Sequence, residues 1–108
     1  MVADIETVNK IIQQYVADVK KAMPIDKVFL YGSFAKGTQS ENSDFDICFF
    51  SRAFESRRIL DILTELFYIK IKYDKYLLIE PNAFSTSELY SDNPFIKEIL
   101  RTGREITV

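Results

Sequence analysis

Histidine is absent from the 108-residue sequence, and cysteine occurs only once, at Cys48. The lack of histidine excludes Ser-His-Asp and Cys-His mechanisms and any histidine general base. A single cysteine cannot form an internal disulfide, and without histidine the Cys/His patterns of structural zinc sites are excluded as well. The chemistry that remains is that of carboxylate, lysine, arginine, tyrosine and hydroxyl groups.

Long apolar runs are also missing. No stretch approaches the roughly 18 to 20 apolar residues of a membrane span, and residues 1–21 lack the apolar run of a signal peptide. The formal net charge of −2 excludes a generally basic nucleic-acid binder. A basic cluster at Arg52, Arg57 and Arg58 predicts at most weak, salt-dependent nucleic-acid binding. We therefore expect a cytoplasmic protein that neither enters a membrane nor binds nucleic acid directly.

The composition is that of a globular protein, with 47% hydrophobic and 28% charged residues. The length fits a single domain over residues 1–108. Nine Phe and six Tyr supply one packed core and leave aromatic side chains for a groove or a partner surface. The candidates for such a surface are Phe34, Phe49, Phe50, Phe54 and Phe84.

Hydrophobic periodicity and turn residues predict seven elements. In chain order they are a helix from about Ala3 to Ala22, strands 27–31 and 45–50, a helix from Glu55 to about Lys70, a strand from Tyr76 to Glu80 stopped by Pro81, a helix opening near Asp92-Asn93-Pro94, and a short edge strand over 105–108. The inner face of the second helix is predicted to carry Ile59, Ile62, Leu63, Leu66 and Phe67, and Gly103 is predicted to cap the last helix. This order predicts an α/β (α+β) domain, with a small mixed β-sheet and helices mainly on one face.

Gly32 and Ser33 follow the first predicted strand directly. Glycine lets backbone N–H groups approach a phosphate closely, and the serine hydroxyl adds a donor. Lys36 and Gly37 come next, where a lysine can lie near triphosphate oxygens. Each feature alone is more often an ordinary turn or a solvated loop residue, so their value lies in the combination.

Asp44 and Asp46 stand at the entry to the second strand. Side chains alternate along a strand, so both carboxylates leave from one face, roughly 6.5 Å apart along the chain. At about 5 Å two carboxylates repel by about 3 kcal/mol at an effective dielectric near 20, and Mg²⁺ would relieve that repulsion. An isolated Asp-x-Asp pair more commonly has a structural explanation, in which Asp44 caps the loop and Asp46 forms an ion pair with a lysine.

Taken together, Tyr31 to Gly37 and Ser43 to Ile47 resemble the Gly-Ser, Gly, Ser-Asp-x-Asp signature of the DNA polymerase beta-like nucleotidyltransferases. The match is closest to the minimal nucleotidyltransferases, and residues 93–103 are similar to the same subfamily. The resemblance covers essentially the whole chain and implies the nucleotidyltransferase fold.

The resemblance also implies roles for individual residues. Gly32 and Ser33 would hold the phosphates of ATP, with Lys36 and Gly37 nearby, and Asp44 and Asp46 would bind one or two Mg²⁺ ions. Many relatives have arginine where this chain has Lys36, so a bidentate phosphate contact is lost. The family's third carboxylate, a metal ligand and candidate base, falls on Glu80, with Asp74 as the competitor.

The implied reaction moves a nucleoside monophosphate, AMP from ATP, onto an acceptor hydroxyl. The subfamily often comprises antitoxins that modify a tyrosine of a HEPN-type, all-helical ribonuclease toxin, which implies a protein partner and allows a homo- or hetero-oligomer. The alternative is a non-catalytic protein that neutralises a helical partner by contact alone.

Overall fold

The computed structural model of the protein describes residues 5–32 and 44–107. Its sheet has four strands in the order β3-β2-β1-β4. The strands are β1 (Lys27–Tyr31), β2 (Phe45–Phe50), β3 (Ile79–Phe84) and β4 (Arg104–Ile106). β1 is antiparallel to β2 and β4, whereas β2 is parallel to β3. The predicted mixed sheet is confirmed, and β1 and β2 have the predicted bounds.

Three α-helices lie in the described part of the chain: α1 (Ile5–Ala22), α2 (Ile59–Lys70) and α3 (Pro94–Thr102). α1 and α2 cover one face of the sheet, where the larger core contains Val16, Leu30, Phe49 and Leu66. The hydroxyl of Tyr15 donates to the Leu66 carbonyl at 2.9 Å and ties these two helices together. Helices mainly on one face are therefore confirmed.

α3 packs on the opposite face of the sheet. Its Ile96 and Ile99 form a second core with Phe29, Cys48 and Phe50. Along β1 and β2 these three residues alternate with those of the first core, so they point to the other face of the sheet. The predicted start and end of this helix are confirmed. The Asn93 side chain accepts from the backbone N–H of Phe95 at 2.9 Å, and the N–H of Gly103 donates to the Ile99 carbonyl at 2.7 Å. This face, with α3 covering part of it, is where the candidate site lies.

The predicted third strand was placed too early. β3 begins at Ile79 and continues through Pro81 to Phe84, while Tyr76 donates its backbone N–H to the Tyr73 carbonyl and lies in a turn. Pro81 does not stop the strand because β3 lies at the edge of the sheet. On the open side of an edge strand there is no neighbouring strand to accept a hydrogen bond, so the N–H that proline lacks is not needed there. Glu80 is consequently the second residue of the strand and not its last.

The second helix also differs from its prediction. Residues Arg52–Ser56 form a separate 3₁₀ helix capped by the Ser51 side chain, and Arg57 is extended before α2 starts at Ile59. Within α2, Ile62 and Leu66 are buried as predicted. Ile59 and Phe67 are 49% and 39% exposed, so their placement on the inner face was wrong.

No helix in residues 5–32 or 44–107 is both long and apolar enough to cross a membrane.

Candidate active site

Gly32 directly follows β1 and has a left-handed backbone conformation, with φ of +81°. A side chain at this position would place its Cβ only 2.3 Å from Oδ2 of Asp46. Gly32 and Asp46 lie close together because Tyr31, the residue before Gly32, pairs with Asp46 across the β1–β2 ladder. The Asp46 carboxylate therefore lies directly against the glycine turn, in space that exists because residue 32 has no side chain.

Glu80 lies beside Asp46 on the neighbouring strand. The two residues are register partners in the parallel β2–β3 pair. Neighbouring strands are about 4.8 Å apart, and paired residues of a parallel ladder project to the same face. Their parity matches that of Cys48, so both side chains belong to the face that α3 covers. Glu80 is exposed and Asp46 is half-buried.

Asp44 and Glu80 both lie near enough to Asp46 for their charges to act on its carboxylate. The pKa of Asp46 is raised, first by burial and then by the negative charges of Asp44 and Glu80. No basic group of the described residues offsets these effects on Asp46. The ion pair that could have explained an isolated Asp-x-Asp is thus not found for Asp46 within the described part of the chain.

Asp74 is placed differently from Glu80. Its carboxylate pairs with Lys70 Nζ at 3.0 Å, one turn apart at the end of α2. Its charge is not among those that raise the pKa of Asp46, whereas the charge of Glu80 is. The geometry therefore favours Glu80 over Asp74 as the third carboxylate.

Three predicted phosphate-binding residues, Ser33, Lys36 and Gly37, lie outside the described residues, which resume at Asp44. Their roles stay predictions. The described part of the site thus consists of Gly32, Asp44, Asp46 and Glu80.

Tyr31 and Asn82 also lie at the site and were missed in the sequence. Burial raises the pKa of the Tyr31 phenol to about 12, and the nearby Cys48, Asp46 and Glu80 add to the rise, while a hydrogen bond with the Asn82 side chain opposes it. The phenol therefore stays neutral beside the carboxylates. Period-two counting could have found Asn82, which follows Glu80 by two positions, whereas Tyr31 is found only through its pairing with Asp46.

The donor chemistry of this site suits magnesium. Mg²⁺ prefers oxygen ligands and is usually held by one or two carboxylates together with substrate phosphates and water. The described residues contain no three acidic, cysteine or histidine side chains already gathered as a metal cage. Asp46 and its neighbours Asp44 and Glu80 supply the one or two carboxylates that magnesium needs, so these residues fit a site that substrate phosphates would complete.

The sequence profile of the family described as "Polymerase beta, Nucleotidyltransferase" matches residues 6–108. The chain belongs to this nucleotidyltransferase family. Membership makes it a transferase and confirms the resemblance predicted from the Gly-Ser and Asp-x-Asp motifs. The carboxylates and the glycine turn described above are thus part of a nucleotidyltransferase fold.

Two similar proteins agree with this assignment. The chain is 32% identical over 111 aligned residues to a protein of Methanocaldococcus jannaschii named a "putative protein adenylyltransferase", and the alignment spans 95% of this chain and 73% of that protein. A crystal structure from Sulfolobus solfataricus, described as a "putative nucleotidyltransferase", has the same fold, with a TM-score of 0.67 and 18% identity. That structural match covers 89% of this chain and 76% of the other.

Proposed function

We propose that this nucleotidyltransferase uses Mg²⁺ and ATP to transfer AMP to a hydroxyl group of a partner protein. The observation that carries the proposal is the Asp46 carboxylate against the Gly32 turn, with Glu80 beside it in register. A protein acceptor is supported by the name of the Methanocaldococcus jannaschii relative. Following the subfamily resemblance, we propose a HEPN-type helical toxin as the acceptor.

In this proposal Asp44, Asp46 and Glu80 would hold the metal. When bound, Mg²⁺ neutralises the triphosphate and stabilises the charge that develops on its oxygens. Gly32 leaves room for the Asp46 carboxylate beside the turn and lets the phosphates approach the backbone N–H groups. The protein itself supplies position and fixed charge and takes little part in covalent chemistry.

The transfer step forms a bond between the acceptor oxygen and the α-phosphorus. The bond from the α-phosphorus to its bridging oxygen breaks, and pyrophosphate leaves with the electron pair. Glu80 accepts the proton of the acceptor hydroxyl, and its exposure keeps it within reach of a group that arrives from outside.

The direct test incubates the protein with Mg²⁺, labelled ATP and the candidate acceptor, which is the product of the neighbouring gene. We expect label on the acceptor, and no label with Asp46→Ala. Absence of transfer by the wild-type protein to any hydroxyl-bearing acceptor would reject the proposal.

Glu80→Gln separates proton transfer from nucleotide binding. We expect the transfer rate to fall by about 10²-fold or more, the usual contribution of a general base, while ATP affinity changes much less. Asp74→Asn is the matched control, since Asp74 is an exposed carboxylate engaged with Lys70. Single-turnover rates and equilibrium dialysis measure the two quantities. An unchanged rate for Glu80→Gln would remove this residue from the site.

A second candidate function is neutralisation of the partner by contact, favoured by exposed apolar side chains. The surface is not the predicted one, because Phe49 and Phe50 are fully buried, Phe54 is 6% exposed and Phe84 is partly buried. Phe34 lies outside the described residues. Exposed apolar residues occur instead on and just after α2, including Leu60, Tyr68 and Ile71.

The double variant Asp44→Ala/Asp46→Ala distinguishes the two functions. The enzymatic proposal expects the double variant to lose its ability to neutralise the partner. Neutralisation that survives in a folded double variant would favour contact alone.

The arginine cluster adds little support to either proposed function, because Arg52 pairs with Asp26 and Arg57 pairs with Glu65.

A further inference from the structure

A row of aromatic rings crosses the face of the sheet that α3 covers. Phe50 stacks on Phe84 with ring centroids 5.9 Å apart, and Phe84 lies 5.9 Å from Phe95. Phe95 in turn meets Tyr31 at 5.6 Å, with the two ring planes at 88°. Phe50 is fully buried, but Phe95 is 42% exposed. The row thus begins in the core and ends in a ring that is open to solvent.

The open ring lies next to the carboxylates. Tyr31, which contacts Phe95, is the register partner of Asp46, and the charges of Asp46 and Glu80 both act on its phenol. One aromatic ring therefore separates Phe95 from the residues proposed to hold the metal and the phosphates. The base of a nucleotide is joined to its phosphates by a single sugar, which makes Phe95 a candidate contact for that base.

Phe95 is held in place before any ligand arrives. It is the second residue of α3, where Pro94 restricts the backbone and the Asn93 side chain accepts from the Phe95 N–H. Tyr31 and Phe84 contact the ring from two directions. A ring that is packed against two neighbours and still 42% exposed loses little conformational entropy when a flat group stacks on it.

We propose that the exposed side of Phe95 is the stacking platform for the base of the nucleoside triphosphate. This inference rests on the proposed function. A nucleobase suits the position because it is flat and is tethered to the phosphates at a fixed distance. Stacking recognises the π-face and not the hydrogen-bonding edge, so adenine and guanine should bind with similar affinity.

The sequence provides an optical test, because it contains no tryptophan. Phe95→Trp would carry the only indole of the protein, and we expect ATP to quench its fluorescence in the presence of Mg²⁺. Leu100→Trp is the matched control, since Leu100 lies on the same helix and is also 42% exposed. ATP should leave the Leu100→Trp emission unchanged. Equal responses from both variants would overturn the inference.

Binding measurements on Phe95→Ala complete the test. We expect affinity for ATP and AMP to fall roughly 5- to 150-fold, the range for loss of one base stack, while inorganic tripolyphosphate binds as before. Phe95→Leu keeps the apolar bulk without the ring and should be intermediate, which separates stacking from loss of fold. Circular dichroism confirms that each variant is folded.

The remaining outcomes have distinct meanings. Unchanged ATP affinity in Phe95→Ala overturns the platform alone, and a higher KM for the acceptor in that variant would assign the ring to the acceptor. If the wild-type protein binds neither ATP nor tripolyphosphate, the proposed function itself fails and this inference fails with it.

Discussion

Asp46→Asn is expected to abolish transfer while leaving the fold as stable as before or more stable. The substitution removes a carboxylate that the proposal needs for catalysis, and loss of one electrostatic group at a reacting centre costs about 10²- to 10³-fold in rate. It also removes a charge that burial and the neighbouring Asp44 and Glu80 disfavour, as the raised pKa of Asp46 indicates. Transfer assays and thermal unfolding at neutral pH measure the two effects.

The pH dependence of stability gives the same prediction a second readout. The folded pKa of Asp46 lies above its unfolded value. Its favourable contribution is therefore fully present below the ordinary aspartate pKa, near 3.9, and is lost as the pH rises through the raised folded pKa. Asp46→Asn lacks this loss, so its melting temperature relative to wild type should increase from about pH 3 to pH 7. The opposite trend would mean that Asp46 is stabilised as a carboxylate.

Magnesium should offset, in the wild-type protein, the loss of stability that the ionised Asp46 carboxylate causes. A cation that binds only the folded state raises the melting temperature, and we expect Mg²⁺ to do so for the wild-type protein and much less for Asp46→Asn. Asp92→Asn is the control, since Asp92 is fully exposed and pairs with Lys97 at 3.4 Å. A similar Mg²⁺ shift in wild type and Asp46→Asn would place the metal elsewhere.

The placement of Gly32, Asp46 and their neighbours at one end of the sheet could be predicted because its signals are local. β1 and β2 are short, buried strands, and the residues that matter sit at their ends, where alternation determines the face. Gly32 and Asp46 meet because those two strands pair with each other. The role proposed for each position comes from the resemblance to a known family and stays a prediction.

The parts that were wrong depend on tertiary context. Pro81 was predicted to stop the third strand. Only its position on the edge of the sheet explains why β3 continues through it. Ile59 and Phe67 fit the helical pattern of the inner face, yet α2 packs on the sheet through Ile62 and Leu66 and leaves those two side chains exposed. The aromatic row from Phe50 to Tyr31 joins residues from β1, β2, β3 and α3, so no single segment reveals it.

Gly32→Ala is expected to damage the fold and the site together. A non-glycine residue at φ of +81° costs on the order of 1–3 kcal/mol, and the new Cβ would lie 2.3 Å from Oδ2 of Asp46. The Asp46 carboxylate must then move, and a misplacement of about 1 Å at a reacting centre can cost about 10²-fold in rate. We expect a lower free energy of unfolding. We also expect the transfer rate per folded molecule to fall by about 10²-fold.

Two further variants separate the strain at Gly32 from the clash with Asp46. Gly103→Ala also creates a close contact, with its Cβ 2.5 Å from the Ile99 carbonyl oxygen, but on the β4 side of β1 and without a positive φ. It should therefore lower stability and leave transfer per folded molecule intact. Gly32→Ala should cost less stability in an Asp46→Ala background, because the carboxylate that it meets is gone and only the backbone strain remains. Strictly additive costs would show that Asp46 does not lie against the turn, and the geometry on which the proposed function depends would then be wrong.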